Sequence, residues 1–348
     1  MPIIRTRHFG AAVATPKELS KLPDFKPNPG NLAGQVYLPD AMVAGAPLVI
    51  VLHGCTQNAA DYADASGWFA LADRHGFAVL IPQQQRANNS NLCFNWFEPG
   101  DTQRGQGEAA SIKAMTDSVI ARHGIDSERV FVTGLSAGAA MAGSMLATYP
   151  ELFAGGGLIA GIPHGTATSV MMALQQMRSG TRESAAQLGE RIYTASNHQG
   201  RWPKISIWHG SADHVVASDN SKATLAQWLV VHGLADATPA NEKNTRFHRR
   251  TWHDATGHAQ VEHVEVHGMG HGTPINTRAT DAVGKSAPYV LDVGVASSVH
   301  LIEYWGISNN VAASRPQPTT KPTPFTPHPE FGVEKIINDA LRSAGLLK

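Results

Sequence analysis

The sequence has few cysteines and no long hydrophobic run. Cys55 and Cys93 are the two cysteines among 348 residues, too few for a disulfide scaffold or a zinc knuckle. They can form one bridge or stay as two buried thiols. No stretch reaches the ~18 uninterrupted apolar residues of a membrane span. We therefore expect no membrane partner.

Net charge is also absent, because 28 Lys and Arg balance 28 Asp and Glu. A neutral chain without a basic run has no field that attracts nucleic acid or an anionic membrane. We therefore expect no nucleic-acid partner and favour a neutral or polymeric substrate. The 42% of hydrophobic residues excludes disorder as the dominant state. The length allows one large α/β domain or two ordinary ones, and the oligomeric state stays open.

Motifs for bound nucleotides and metals are missing as well. Neither G-x-x-x-x-G-K-[ST] nor G-x-G-x-x-G after a strand occurs, so we predict no cofactor. Of the 17 histidines, six are spaced by four or five positions between His248 and His271. In strands this spacing scatters side chains over both faces of a sheet. We therefore predict no metal site.

Alternation of strand-like and helix-like segments begins near residue 37. The run 46–52 is continuously apolar and rich in β-branched residues, which is typical of a parallel strand buried on both faces. The other predicted strands are 77–81, stopped by Pro82, and 129–133, 157–160, 204–208, 247–252 and 261–267. The predicted helices are 62–75, 107–123, 137–149, 220–232 and 299–307. This order predicts an α/β fold with a mostly parallel central sheet and helices on both faces.

Four parts follow from this pattern: an N-terminal extension over 1–36, a catalytic domain over 37–313, a Pro/Thr-rich linker over 314–330 and an amphipathic helix over 331–348. The prolines hold the linker extended. The last helix carries an apolar stripe that needs a partner. It either docks on the catalytic domain or on a second subunit, or it frays.

A possible nucleophile lies in Gly134-Leu135-Ser136-Ala137-Gly138, which matches G-x-S-x-G between a predicted strand and a predicted helix. A nucleophile elbow needs small residues two positions either side of the serine, because its tight turn leaves no room for a Cβ. The sequence therefore predicts Ser136 as a nucleophile at a helix N-terminus.

A nucleophilic serine needs a base and a group that orients the base. In this fold class they follow in the order Ser, acid, His. Asp213 lies in the loop after the predicted strand 204–208 and is the predicted acid, whereas Asp219 suits a helix N-cap. His271 lies on the glycine-rich loop 268–272 and is the predicted general base.

An oxyanion hole needs two backbone N–H groups. We expect one from Ala137, directly after the nucleophile. The second is expected from the loop 53–57 after the strand 46–52, with the backbone N–H of Cys55 as the donor.

Five motifs together give the chain a resemblance to a known family. They are Leu52-His53-Gly54-Cys55-Thr56-Gln57, Cys93-Phe94-Asn95-Trp96-Phe97, Arg104-Gly105-Gln106-Gly107-Glu108, Gly134-Leu135-Ser136-Ala137-Gly138 and Gly268-Met269-Gly270-His271-Gly272. In this order and spacing the sequence resembles the polyhydroxybutyrate (PHB) depolymerase esterases of the α/β-hydrolase fold, from about residue 37 to residue 307. The resemblance implies a serine esterase acting on short-chain hydroxyalkanoate polyesters or small acyl esters. The same triad would also serve a feruloyl or acetylxylan esterase, and a polymer-binding protein on this scaffold is the non-enzymatic alternative.

The resemblance also implies roles for residues around the serine. Trp96 is expected to line the acyl pocket, with an ordinary core position as the alternative, and His53 and Gln57 are expected to contact substrate. Cys55 and Cys93 lie in two loops that the resemblance places beside the active site, which leads us to expect a disulfide. The family resemblance favours an extracellular or periplasmic protein. The N-terminal residues show no export signal, which makes a cytoplasmic location the alternative.

Overall fold

The computed structural model describes residues 19–22 and 25–307. The predicted linker 314–330 and the predicted helix 331–348 lie outside the described residues. None of the described helices is both long enough and apolar enough to pass through a bilayer.

Twelve strands are present in the described part of the chain. They are β1 (Ser20–Lys21), β2 (Ala33–Tyr37), β3 (Leu48–Leu52), β4 (Ala78–Gln83), β5 (Val130–Leu135), β6 (Gly155–Ile159), β7 (Lys204–Gly210), β8 (Ala240–Lys243), β9 (Phe247–His253), β10 (Ala259–Val266), β11 (Thr273–Ile275) and β12 (Val290–Asp292). Ten of them form one sheet in the order β1-β2-β4-β3-β5-β6-β7-β10-β9-β8, and β11 pairs with β12. All pairs from β4 to β10 are parallel, and the pairs outside them are antiparallel. The prediction of a mostly parallel α/β sheet is confirmed.

Helices cover both faces of this sheet. They are α1 (Ala59–Ala65), α2 (Trp68–His75), α3 (Pro99–Thr102), α4 (Gly107–His123), α5 (Ala137–Thr148), α6 (Val170–Ser179), α7 (Ala185–Ala195), α8 (Asp219–Val231) and α9 (Ser297–Tyr304). Successive residues of β3 feed two cores: Ile50 packs with residues of α4, α5 and α8, whereas Val51 packs with residues of α1, α2 and α9. This two-sided burial explains why the β3 segment is apolar at every position.

Three predicted boundaries need correction. The helix predicted over 62–75 is two helices, because Gly67 has φ 86° and a Cβ there would lie 2.8 Å from Val283 Cγ2. Strand β4 continues through Pro82. Its pairing with β3 ends at Leu80, so no hydrogen bond to β3 requires a backbone N–H at position 82. Residues 33–36, assigned to the extension, lie in β2 and pair with β4, so the sheet begins before residue 37.

Because β4, β3, β5, β6, β7 and β10 run parallel in the sheet, their carboxyl ends meet at one edge. The loops that follow β3, β5, β7 and β10 therefore emerge together. These are the loops that carry the oxyanion donor, the serine, the acid and the base predicted from the sequence.

Candidate active site

Ser136 occupies a tight turn between β5 and α5. Its backbone has φ 57° and ψ −117°, a left-handed conformation that costs a non-glycine residue strain. The Ser136 N–H donates to Ile159 O at 2.9 Å, and the Ser136 carbonyl accepts from Ala140 N–H at 2.9 Å. The turn is therefore held from both sides, and the serine begins a buried helix.

The two glycines of the G-x-S-x-G motif are required by close backbone contacts. A Cβ on Gly134 would lie 2.4 Å from the carbonyl carbon of Gly138. A Cβ on Gly138 would lie 2.3 Å from Leu52 O and 2.5 Å from His53 O. The elbow therefore packs directly against the end of β3, where the predicted oxyanion loop begins.

Asp213 and His271 are joined by a short hydrogen bond. The Nδ1 atom of His271 donates to Asp213 Oδ2 at 2.7 Å, and the two side chains are 4% and 0% exposed. The Asp213 Oδ1 atom accepts from Val215 N–H and Val216 N–H at 2.9 Å each. Burial opposes ionisation of this carboxyl, but the His271 ring and these hydrogen bonds outweigh it and lower the pKa of Asp213.

The loops that carry this pair are attached to each other by their backbones. Ala212 N–H donates to Met269 O at 3.0 Å. Gly210 ends β7 at a point where a Cβ would lie 2.2 Å from the same oxygen. A glycine at this position therefore lets the His271 loop approach the Asp213 loop.

His209 is a second histidine beside the acid, and the sequence analysis assigned it no role. Its Nε2–H donates to Val216 O at 2.9 Å and lies 3.4 Å from Asp213 Oδ2. Burial lowers the pKa of His209, so the ring is neutral near pH 7. The residues on either side of His209 do not mark it in the sequence, because its position beside Asp213 depends on contacts with later residues of the loop.

The loop after β3 supplies the predicted oxyanion donor. Gly54 N–H donates to Gln57 Oε1 at 2.8 Å, and Thr56 N–H donates to Asn91 O at 2.7 Å. Cys55 is bonded to Cys93, with a Cα–Cα distance of 4.2 Å, so the expected disulfide is confirmed. Between these fixed points, the Cys55 N–H has no acceptor within the described residues.

Ala137 N–H likewise has no acceptor in the described part of the chain, as expected for the first residue of a helix. Two backbone donors without an acceptor thus lie on adjoining loops, since a Cβ on Gly54 would be in van der Waals contact with Leu135 O, at 3.5 Å. The helix N-terminus adds a positive partial charge at the same place. This arrangement suits a developing oxyanion.

His53 does not have the position expected of a substrate contact. Its side chain is completely buried, Nδ1–H donates to Gly54 O at 2.7 Å, and Nε2 accepts from Gln84 N–H at 3.2 Å. Burial lowers the pKa of His53 to about 4, so the ring stays neutral. The expectation of a substrate contact at His53 is therefore corrected: both ring nitrogens are used to hold the loop.

Gln57 and Trp96 are the other two residues for which substrate contact was predicted. The Gln57 amide accepts from Gly54 N–H and donates to Pro288 O at 3.1 Å, next to Tyr289, whose ring centroid lies 6.1 Å from that of His271. Trp96 is 8% exposed and packs in an apolar cluster with Ala137. Contact with substrate stays a prediction for both side chains.

No cluster that could hold a metal ion occurs within residues 19–22 and 25–307, where no group of three His, Cys, Asp or Glu side chains has the required proximity. The loops at this edge of the sheet carry a serine, a histidine–aspartate pair and two N–H donors without an acceptor in the described part of the chain. These are the groups needed for nucleophilic attack on a carbonyl.

The sequence also matches a known family. The sequence model of the family described as "Esterase PHB depolymerase" matches residues 32–249. The chain belongs to this family. It is a serine-type carboxylic ester hydrolase of the α/β-hydrolase fold, as the resemblance implied.

Similar proteins include two kinds of esterase. The chain is 47% identical to poly(3-hydroxyalkanoate) depolymerase C of Paucimonas lemoignei over 83% of this chain and 70% of that protein. It is 34% identical to acetylxylan esterase A of Emericella nidulans over 66% of this chain and 77% of that protein. The solved acetylxylan esterase of Aspergillus awamori superposes with a TM-score of 0.71 at 25% identity, covering 84% of this chain and all of that one.

Proposed function

We propose that Ser136, Asp213 and His271 are the catalytic triad of an esterase that cleaves short-chain hydroxyalkanoate polyesters and their oligomers. The observation that carries the proposal is the 2.7 Å hydrogen bond from His271 Nδ1 to Asp213 Oδ2, at the sheet edge where Ser136 lies in a strained turn. This bond leaves Nε2 of His271 as the free nitrogen that can accept a proton.

In the proposed reaction, His271 Nε2 removes the proton of the Ser136 hydroxyl as the serine oxygen attacks the ester carbonyl carbon. The carbonyl oxygen becomes an oxyanion that accepts hydrogen bonds from the N–H groups of Cys55 and Ala137. The alcohol leaves with the proton held by His271. Water then attacks the acyl-enzyme by the same route, which releases the acid and restores Ser136. Asp213 holds the imidazole in the required tautomer throughout.

Polyester is the proposed substrate class because of the relative with 47% identity and the apolar surroundings of the serine. One face of α6 packs through Ala173 into the cluster that contains Trp96 and Ala137. At the first turn of the same helix, Val170 and Met171 are 52% and 63% exposed. Exposed apolar side chains on a helix that packs into this cluster suit an apolar polymer chain.

Acetylated xylan is the second candidate, favoured by the superposition on a solved acetylxylan esterase over the whole length of that enzyme. The two substrates share the acyl-transfer chemistry and differ in the alcohol side. A polyester presents an apolar repeating chain, whereas xylan presents a polar sugar surface.

The test is a panel of substrates with the purified protein and its Ser136→Ala variant. The panel contains p-nitrophenyl butyrate, 3-hydroxybutyrate oligomers and film, acetylated xylan and methyl ferulate. We expect turnover of the p-nitrophenyl ester, the oligomers and the film, and loss of all three in the variant. Release of acetate from xylan without release of hydroxybutyrate would transfer the proposal to the second candidate, and retained activity in Ser136→Ala would contradict the mechanism.

We also propose that the protein acts outside the cytoplasm. A structural disulfide such as Cys55–Cys93 persists in oxidising compartments and is rare where glutathione keeps thiols reduced. Thiol titration of denatured, unreduced protein taken from its native compartment tests this. No reactive thiol is expected, and two reactive thiols would contradict the proposal.

A further inference from the structure

Glu108 is a buried carboxyl that takes no part in the chemistry described so far. It lies in the first turn of α4, in the Arg104-Gly105-Gln106-Gly107-Glu108 motif, and its side chain is completely inaccessible to solvent. Gly107 has φ 46°, and a Cβ there would lie 2.3 Å from Asp101 Oδ1. The glycine thus lets the start of α4 pack against α3, which fixes the position of Glu108.

Both carboxylate oxygens of Glu108 accept hydrogen bonds from groups that can only donate to them. Oε1 accepts from the side-chain amide of Gln84 at 2.5 Å. Oε2 accepts from Asn95 N–H at 2.9 Å. An ionised carboxylate satisfies two such donors, because it has only acceptor sites. A protonated carboxyl can still accept at both oxygens when its O–H turns elsewhere, whereas an amide would turn its NH₂ group toward one of the two donors.

Gln84 connects Glu108 to the oxyanion loop. The backbone N–H of Gln84 donates to His53 Nε2 at 3.2 Å, and His53 Nδ1–H donates to Gly54 O at 2.7 Å, one residue before the predicted oxyanion donor Cys55. Through three consecutive hydrogen bonds, a buried acid of α4 thus reaches the loop that carries the N–H of Cys55.

The same carboxyl also fixes the loop on the other side of the disulfide. The Gln84 side-chain amide donates a second hydrogen bond to Cys93 O at 3.0 Å. Asn95, bonded to Glu108 through its N–H, directly precedes Trp96 and donates its side-chain amide to Asp101 Oδ2 at 3.1 Å. The Glu108 carboxyl therefore holds two loops through hydrogen bonds: the loop with Cys93 and Trp96, and the loop with Cys55.

We propose that Glu108 is a positioning residue that holds the oxyanion loop and the Trp96 loop in their reactive arrangement. The inference rests on the proposed function of Ser136 and the Cys55 N–H. Burial and the nearby Asp101 raise the pKa of its carboxyl to about 8 against the opposing hydrogen bonds, and both the neutral and the ionised form can accept from Gln84 and Asn95. An apolar side chain would fill the same space without the free-energy cost of desolvating an acid.

The test is Glu108→Gln, which keeps the size of the side chain and replaces one acceptor by a donor. The matched control is Glu98→Gln, the same chemical change at an exposed position ten residues earlier. Because an oxyanion donor acts on the transition state, we expect Glu108→Gln to lower kcat on p-nitrophenyl butyrate by about tenfold or more with KM within about twofold. The control is expected to match the wild type. Rates are expressed per active site titrated with a fluorophosphonate, so that misfolded protein does not count.

Two further readouts separate positioning from a general structural role. Binding of a butyl boronic acid, whose adduct with Ser136 places an oxygen in the oxyanion hole, should weaken in parallel with kcat. The double variant Gln84→Glu/Glu108→Gln exchanges donor and acceptor across one hydrogen bond and should recover part of the lost kcat. If Glu108→Gln is not obtained folded, Gln84→Met, which removes the donor and leaves the carboxyl, takes its place with the same expectation.

An unchanged kcat per titrated site, a change confined to KM, or unchanged boronate binding would each overturn the role of Glu108. A wild type without esterase activity would instead contradict the proposed function itself. The two failures are therefore distinguishable.

Discussion

The disulfide between Cys55 and Cys93 allows a quantitative prediction, tested by the double substitution Cys55→Ala/Cys93→Ala. The two cysteines are 38 positions apart in the chain. Closing a loop of that length removes conformational entropy from the unfolded chain worth about 4 kcal/mol at 25 °C. Against a typical total of ~5–15 kcal/mol for a folded domain, this is a large share of the free energy of unfolding.

Urea unfolding followed by circular dichroism measures the effect. The variant should unfold with a free energy about 4 kcal/mol lower than the oxidised wild type. Its m-value should be higher, because the unfolded chain without the bridge is more expanded. Wild-type protein unfolded in the presence of a reductant is the matched control, since it loses the bond and keeps both side chains. A loss below about 1 kcal/mol in both samples would contradict this contribution of the disulfide to the free energy of unfolding.

The same variant should lose only part of its activity. The hydrogen bond from Thr56 N–H to Asn91 O still joins the two loops at 2.7 Å. The oxyanion loop is then loosened but not released, so kcat should fall by less than the ~10²–10³ typical of losing one oxyanion donor. A fall of that full size would show that the disulfide alone positions Cys55.

Three further substitutions give separate predictions. Asp213→Asn should lower kcat by about 10⁴, because the wrong tautomer of the general base is favoured. Folding lowers the pKa of Asp213. The ionised carboxylate therefore stabilises the fold at pH values above its unfolded pKa of ~3.9. This stabilisation is lost as the pH falls through the pKa of Asp213 in the folded protein. Urea unfolding at several pH values should therefore show less acid destabilisation in Asp213→Asn, and an unchanged pH dependence would contradict this. Gly138→Ala should prevent folding or cost several kcal/mol, because the new Cβ would lie 2.3 Å from Leu52 O; a thermal melt like that of the wild type would disagree. Met171→Gln should weaken adsorption to polyester film and leave p-nitrophenyl acetate hydrolysis unchanged, whereas Val43→Gln, at a 70% exposed apolar residue preceding β3 at the opposite edge of the sheet, should change neither. Equal adsorption of the two variants would contradict a role of α6 in binding the polyester surface.

The parallel core of the fold could be predicted because its physical cause is local. A strand buried on both faces must be apolar at every position, as in Leu48–Leu52. Strands at the margins have no such constraint. All four residues of Ala240–Lys243 are exposed, and no alternation marks them as a strand. The break at Gly67 also escaped prediction, since it depends on contact with Val283, more than two hundred positions away.

The reactive residues were accessible to sequence analysis for a related reason. The elbow requires glycines at fixed positions around Ser136, so its geometry leaves a local motif. The supporting residues show no local sign of their role: Glu108 ends one of the five motifs and His209 lies in none, and both are buried polar side chains whose partners come from other parts of the chain. For His53 the motif was visible but the direction of the side chain was not. Its ring is buried beneath the loop instead of facing the substrate.

Labelling with a fluorophosphonate, followed by peptide mass spectrometry, shows whether Ser136 is the activated nucleophile. The reagent reacts with a serine only where a base and an oxyanion hole activate it. We predict one label per chain, on Ser136, with loss of ester hydrolysis in proportion to labelling. Labelling of another residue, or full activity in protein whose Ser136 is completely labelled, would contradict it.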